Sequence, residues 1–138
     1  MRPDLGRFVV AQAAAHDRAV AEITAGRKRT HWMWFIFPQL RGLGQSRMAQ
    51  EFGIVDLAEA RDYLAHPLLG LRLRQLVALV GASDATPEQI FGPDTCKYRS
   101  CLTLFALAEG AAGAFERALH DQSLGHRCQI TTKLLGIR

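Results

Sequence analysis

Apolar residues recur along most of this chain at spacings of three and four, the repeat of one face of an α-helix. The clearest stretch starts at Asp4 and stops before Gly26, a residue suited to ending a helix. We therefore predict a first helix over about 4–25. No segment alternates strictly between apolar and polar positions, as a half-buried strand would.

The segment from Thr30 to Phe37 is apolar on every side and stops at Pro38. Periodicity alone cannot distinguish a buried strand from a buried helix in so short a run. Because the neighbouring segments are helical, we interpret it as a short helix capped by Thr30. After a glycine-spaced loop, Ser46 is predicted to cap another short helix that ends near Gly53.

A fourth helix is predicted to begin at Asp56, which is expected to form a capping box with Glu59. It should stop at His66, because a following proline disfavours the helical conformation. Pro67 is then well placed at the first position of the next helix. That helix is rich in leucine, Leu76 included, and is predicted to be central and buried.

The remaining patterns predict a one-turn helix over 86–92, a helix capped by Asp94 that ends near Gly110, a helix over 111–123 and a last turn or two over 131–135. The chain shows no internal repeat and no long linker. We therefore expect an all-α fold, a single compact domain over residues 1–138 with about six to eight helices, several of them short.

Composition favours a cytoplasmic globular protein. Of the 138 residues 49% are hydrophobic and 22% are charged, and no apolar run reaches the roughly 18–20 residues that cross a bilayer. The first residues lack the pattern of a secretory signal. We expect no membrane association.

Three cysteines cannot form a complete set of disulfides, and their spacing is not that of a zinc knuckle. We expect buried, reduced thiols. The alternative is a reactive thiolate at Cys96, in the first turn of a helix. No metal-ligand constellation and no cofactor motif occur, so no metal or cofactor is predicted.

Positive charge is concentrated in one segment. Between residues 26 and 53 there are four arginines and one lysine against the single acid Glu51, which accounts for the net charge of +4. Arginine predominates in the whole chain, and its forked guanidinium suits carboxylates and phosphates.

The run GRKRTHWMWFIFPQL over residues 26–40 resembles a bacterial and fungal family catalogued as domain of unknown function 1810. The likeness continues through Gly42-Leu43-Gly44, His66-Pro67, Phe91-Gly92, Asp94, Lys97 and residues 100–105. It covers nearly the whole chain and implies an all-helical fold, whereas the activity of the family is not established. Members usually carry an Asp a few residues before the final Thr, where this chain has Cys128 and its neighbours.

Arg27 and Lys28 precede a predicted helix start, where free amides and the helix dipole favour an anion. Gly42 and Gly44 would let the backbone approach the same ligand closely. The alternative interpretation is a solvated basic turn, or one paired with carboxylates elsewhere in the fold.

Trp32 and Trp34 lie about 200° apart on a helix, so they cannot share one face. We expect one in the core and the other at a pocket wall, where an indole can stack on a base or sugar. Double-stranded nucleic acid is an unlikely partner, because the chain lacks a long basic stripe.

His31 is a candidate general acid or base, and the alternative is a buried structural histidine. Asp94 and Lys97 lie one turn apart, with Ser100 one turn farther along. Asp94 is interpreted either as a plain helix cap or, with Lys97, as part of the basic pocket.

These residues together predict a cleft that binds a small anionic, phosphorylated or nucleotide-like ligand. The expected lining is Arg27, Lys28, His31, Trp32 or Trp34, Gln39, Ser46, Asp94 and Lys97. If chemistry follows, His31 or Asp94 would transfer the proton, in hydrolysis or transfer at a phosphate or glycosyl-nucleotide bond. The alternative is a protein–protein interaction module, with the Trp-Phe run or the Leu-rich helix as its contact surface. A third possibility is that the motif is mainly architectural.

Overall fold

The computed structural model describes residues 5–110, 112–122 and 127–136. Its α-helices are α1 (Gly6–Thr24), α2 (Met33–Ile36), α3 (Arg47–Glu51), α4 (Leu57–Ala65), α5 (Leu69–Ala82), α6 (Pro87–Phe91), α7 (Thr95–Glu109), α8 (Ala114–Asp121) and α9 (Gln129–Leu134), with a 3-10 turn at Gly92–Asp94. Helices account for 69% of the described residues, and no strand occurs among them. The all-α prediction is confirmed. The predicted helix boundaries at residues 4, 111 and 123 lie outside the described residues.

Helix α7 is the centre of the packing. It contacts α4, α6, α8 and α9, while α5 packs against α1, α4 and α8. Tyr98 on α7 is fully buried and stacks on Phe91, with ring centroids 4.4 Å apart. Leu76 of α5 is only 2% exposed, which confirms the prediction that the Leu-rich helix is buried.

Three predicted helix starts have the expected N-cap side chains, but the box predicted at Asp56 is only half formed, because Glu59 accepts from the Val55 amide and not from that of Asp56. Ser46 accepts a hydrogen bond from the Ala49 amide at 3.1 Å, and Asp56 accepts one from the Glu59 amide at 2.8 Å. Thr86 forms a reciprocal capping box with the residue three positions later. These contacts lie within one helical turn, so the sequence alone predicts them.

Three other predicted starts are corrected by the structure. Helix α2 begins at Met33, because the Thr30 hydroxyl is donated to Glu22 at 2.6 Å and caps no helix. Asp94 precedes α7, but its carboxylate pairs with two lysines and makes no cap hydrogen bond. Helix α5 begins at Leu69, two residues after Pro67, and the His66 ring accepts from its first amides.

The Glu22 carboxylate organises the basic turn that follows α1. It accepts hydrogen bonds from the amides of Arg29 and Thr30, from the Thr30 hydroxyl and from the Trp32 indole. Burial opposes ionisation, but these four donors outweigh it and lower the pKa of Glu22 to about 2. Part of the family-specific motif therefore has an architectural role, because it folds around a buried anion of the protein itself.

Candidate functional site

A cavity of about 810 Å³ opens between the loop before α3, the start of α7 and the segment that leads into α9. Its lining consists of Trp34, Gln39, Leu40, Leu43, Gly44, Gln45, Ser46, Ala49, Phe52, Gly53, Cys96, Lys97, Arg99, Ser100, Arg127, Cys128, Gln129 and Ile130. The volume is within the range of small-molecule sites, roughly 300–1,000 Å³.

The loop wall is held by a short parallel bridge between Leu40 and Ile54. The Ile54 amide donates to the Gln39 carbonyl at 2.9 Å, and the Arg41 amide donates to the Ile54 carbonyl at 2.8 Å. At Gly53 a Cβ atom would lie only 2.6 Å from the Arg41 Cβ. The return of the loop therefore requires glycine at this position, and it fixes Gln39 at the cavity wall.

The opposite wall is a polar stripe on α7. Cys96, Arg99, Ser100 and Thr103 follow one another at helical spacing on a helix that is otherwise largely apolar. The Thr103 hydroxyl accepts the Cys128 amide at 2.9 Å, which ties the segment before α9 to α7. This contact joins two parts of the chain that are 25 residues apart.

The charged side chains in the lining are all cations: Lys97, Arg99 and Arg127. Arg127 is paired from outside by Glu116, with both carboxylate oxygens 3.0 Å from its Nη2. In the part of the chain that the structure describes, Arg99 has no such partner, and its Nε is shielded from solvent without an acceptor. The cavity therefore carries positive charge that the protein does not fully neutralise.

Asp94 lies behind this wall, between two lysines. Its carboxylate oxygens are 2.9 Å from the Lys28 Nζ and 2.8 Å from the Lys97 Nζ. Burial raises the pKa of Asp94, but hydrogen bonds and charge from Lys97 and Lys28 lower it below its ordinary value. A carboxylate held ionised between two cations is poorly suited to donate a proton near neutral pH.

The structure brings four of the predicted ligand-binding residues into the lining: Trp34, Gln39, Ser46 and Lys97. The other five predicted site residues lie elsewhere: Arg27, Lys28, His31, Trp32 and Asp94. Arg27 and His31 are exposed. Lys28 and Asp94 instead form an ion pair in which Asp94 also binds Lys97, which is the alternative interpretation of the basic turn, one paired with a carboxylate elsewhere in the fold.

One tryptophan lies in the core and the other at the cavity wall, as expected, although Trp32 precedes α2 and helix geometry does not separate them. Trp32 is fully buried and its indole donates to Glu22, so it cannot reach a ligand in the cavity. Trp34 is partly exposed at the wall, where the Lys97 Nζ lies 5.8 Å from its ring centroid. This corrects the expectation that Trp32 binds the ligand.

Sequence reasoning missed Arg99, Arg127 and Cys128. The polar stripe of α7 was a usable signal for Arg99, since cationic and hydroxyl side chains recur there among apolar ones. For Arg127 and Cys128 no local signal exists, because only the packing of α9 on α7 brings them to the cavity.

The structure also shows where the rest of the basic segment lies and how far the contact surfaces predicted for an interaction module are exposed. Arg41 and Arg47, from the basic segment, line a shallow depression that shares Gln45 with the cavity. The Trp-Phe run is buried almost throughout, as is the inward face of the Leu-rich helix. The Trp-Phe run is therefore not available as the contact surface of an interaction module, whereas Leu71 of α5 is 53% exposed.

Within the described ranges, no three side chains of His, Cys, Asp or Glu come together in a way that could hold a metal ion. None of the helices there has the length and apolar character needed to cross a membrane.

The fold is a compact helical domain, and the charged residues among the described lining of its cavity are cations. The chain belongs to the family described as proteins of unknown function (DUF1810), whose model matches residues 2–135. It is similar to the conserved hypothetical protein Rv1873 from Mycobacterium tuberculosis, whose crystal structure matches with 47% identity and a TM-score of 0.91 over 98% of each chain. None of the curated proteins matches this chain. The resemblance noted at residues 26–40 is thus confirmed.

Proposed function

We propose that the cavity binds a small anionic molecule with an apolar or aromatic part. Phosphorylated aromatic and nucleotide-like molecules are the class that fits first. The observation that carries the proposal is Arg99, which lines the cavity and whose Nε is shielded from solvent with no acceptor among the described residues.

An unpaired, partly buried guanidinium is unfavourable by itself. Leaving a shielded donor unsatisfied costs roughly 1–3 kcal/mol, and more when the group is charged. The phosphate or carboxylate of a ligand would remove this cost by accepting a forked pair of hydrogen bonds. Lys97 borders the same space and would add attraction for the anion.

The rest of the lining suits the uncharged part of such a ligand. Leu40, Phe52 and Ile130 supply apolar surface, and Trp34 supplies an aromatic face. The side chains of Gln39 and several polar neighbours can fix the orientation of a base or sugar by hydrogen bonding. An apolar wall with a few convergent polar groups is the usual composition of a small-molecule site.

The proposal is tested by titrating four aromatic phosphates, AMP, GMP, phenyl phosphate and pyridoxal phosphate, while monitoring tryptophan fluorescence or heat. Adenosine serves as the uncharged control. We expect saturable binding of at least one phosphate below about 1 mM, and at least tenfold weaker binding of adenosine than of AMP if AMP is the ligand bound.

Two matched variants locate the site. Arg99→Gln should weaken binding about tenfold or more, since a hydrogen bond to a charged group contributes roughly 1.5–3 kcal/mol. Arg27→Gln, in the exposed basic turn, should leave binding unchanged. Failure of all four phosphates to bind, or loss of binding in Arg27→Gln but not in Arg99→Gln, would overturn the proposal.

A further inference from the structure

The three cysteines lie in three different environments. Cys101 is fully buried, and burial raises the pKa of its thiol well above the ordinary value. Cys96 is exposed at the mouth of the cavity. Cys128 is partly buried in the cavity wall, directly before α9.

The sulfur of Cys128 is surrounded by hydrogen-bond donors. The Ser100 Oγ lies 3.2 Å from Sγ and also 2.9 Å from the Cys96 carbonyl oxygen. Ser100 has one proton and two acceptors, so it can turn toward the sulfur when the sulfur becomes negative. The Thr131 hydroxyl is fully buried three residues farther along and has no hydrogen-bond partner among the described residues.

These groups change the ionisation of the thiol. Burial raises the pKa of Cys128, but the Ser100 and Thr131 hydroxyls and the amides of Ile130 and Thr131 lower it below the ordinary value. A thiol becomes a better nucleophile at neutral pH when its thiolate is stabilised in this way.

The charges around Cys128 favour the approach of anionic molecules. Arg99 and Lys97 line the same cavity as Cys96 and Cys128, and no carboxylate is among the described residues of that lining. The Cys128 backbone is held to α7 by its hydrogen bond to Thr103, so the sulfur has a fixed position relative to these cations. An anionic electrophile would therefore be held beside a fixed nucleophile.

We infer that Cys128 is a nucleophilic thiolate site within the cavity, selective for electrophiles that carry a carboxylate or phosphate next to a reactive carbon. In the reaction the sulfur forms an S–C bond while the leaving group departs with the electron pair of its own bond to that carbon. The thiol proton has already passed to solvent. The preference for an anion rests on the proposed function, whereas the nucleophilicity of Cys128 does not.

The test compares iodoacetate, an anionic reagent, with iodoacetamide, its neutral analogue, on the native protein at pH 7. Iodide is the leaving group in both. Alkylation of each cysteine is followed with time by peptide mass spectrometry. We expect Cys128 to react with iodoacetamide at least about tenfold faster than Cys96, although Cys96 is the more exposed. We also expect the ratio of iodoacetate to iodoacetamide rates to be at least about fivefold higher at Cys128.

Variants separate the cause of the high alkylation rate of Cys128 from the cause of its preference for the anionic reagent. Ser100→Ala should slow the alkylation of Cys128 by both reagents severalfold, whereas Arg99→Gln should reduce mainly the preference for iodoacetate. Arg27→Gln, in the exposed basic turn outside the cavity, should leave the rate at Cys128 unchanged. Thermal melting followed by circular dichroism shows that each variant is folded before its rates are compared.

The outcomes are distinct for the two proposals. If Cys96 reacts as fast as Cys128 with iodoacetamide, the inference is wrong, even where phosphate binding is intact. If Cys128 reacts rapidly but without preference for iodoacetate, its selectivity for anions is wrong. A reactive, anion-selective Cys128 in a protein that binds none of the four aromatic phosphates would support the inference and contradict the proposed function.

Discussion

Replacing Glu22 with glutamine tests whether the basic turn after α1 is built around a buried carboxylate. Glu22 is 8% exposed and accepts four hydrogen bonds, two from backbone amides, one from a hydroxyl and one from the Trp32 indole. Glutamine has nearly the same size. It replaces one acceptor oxygen with a donor and removes the negative charge.

The expected loss of stability follows from the pKa of Glu22. Lowering that pKa from the ordinary 4.5 to about 2 corresponds to roughly 3 kcal/mol of preference for the ionised form in the folded protein, at about 1.36 kcal/mol per pKa unit. Since part of this is screened by solvent and ions, Glu22→Gln should lower the free energy of unfolding by about 2–3 kcal/mol at pH 7.

The effect should depend on pH in a defined direction. A carboxyl whose pKa is lower in the folded than in the unfolded protein stabilises the fold fully above the unfolded value, here 4.5, and loses this effect as the pH falls toward 2. The difference between wild type and Glu22→Gln should therefore shrink to about 1 kcal/mol at pH 3. Urea denaturation followed by circular dichroism at both pH values measures it.

Glu88→Gln is the matched control, because Glu88 is exposed in the first turn of α6. It should change stability by less than about 0.5 kcal/mol at pH 7. A cost below about 1 kcal/mol for Glu22→Gln at pH 7, or the same cost at pH 3 as at pH 7, would refute the role assigned to Glu22.

Two further predictions concern α5. Leu76→Ala should lower the free energy of unfolding by about 2–5 kcal/mol, since the side chain is 2% exposed in the core; a loss below about 1 kcal/mol in urea denaturation would contradict this packing. Gly70→Ala should be destabilising by about 2 kcal/mol or more, because its Cβ would lie 2.1 Å from the Leu64 carbonyl oxygen. Gly81→Ala in the same helix is the control: its Cβ would meet only the flexible end of a side chain at 3.2 Å, and melting temperature should change little. Equal melting temperatures for the two alanine variants would contradict the close approach at Gly70.

The sequence by itself determined the features that depend on one or two helical turns. Periodicity placed the long helices, and Ser46, Asp56 and Thr86 marked helix starts, because each cap contacts an amide three residues away. The leucines of α5 predicted a buried helix, because their spacing is also a property of a few helical turns. The separation of the two tryptophans predicted that they would face different surroundings.

Only the tertiary structure decided which polar groups share the cavity. The sequence suggested the dense cationic stretch as the ligand site. In the structure, however, backbone amides of this stretch donate to the Glu22 carboxylate, and Lys28 is paired with Asp94. Of the cations that line the cavity, Lys97 was predicted and Arg99 and Arg127 were not, and Arg127 and Cys128 reach Lys97 and Arg99 because α9 packs on α7. Charges find their partners across the fold, over distances set by helix packing, so a local run of like charge cannot reveal whether it faces a ligand or a carboxylate of the protein itself.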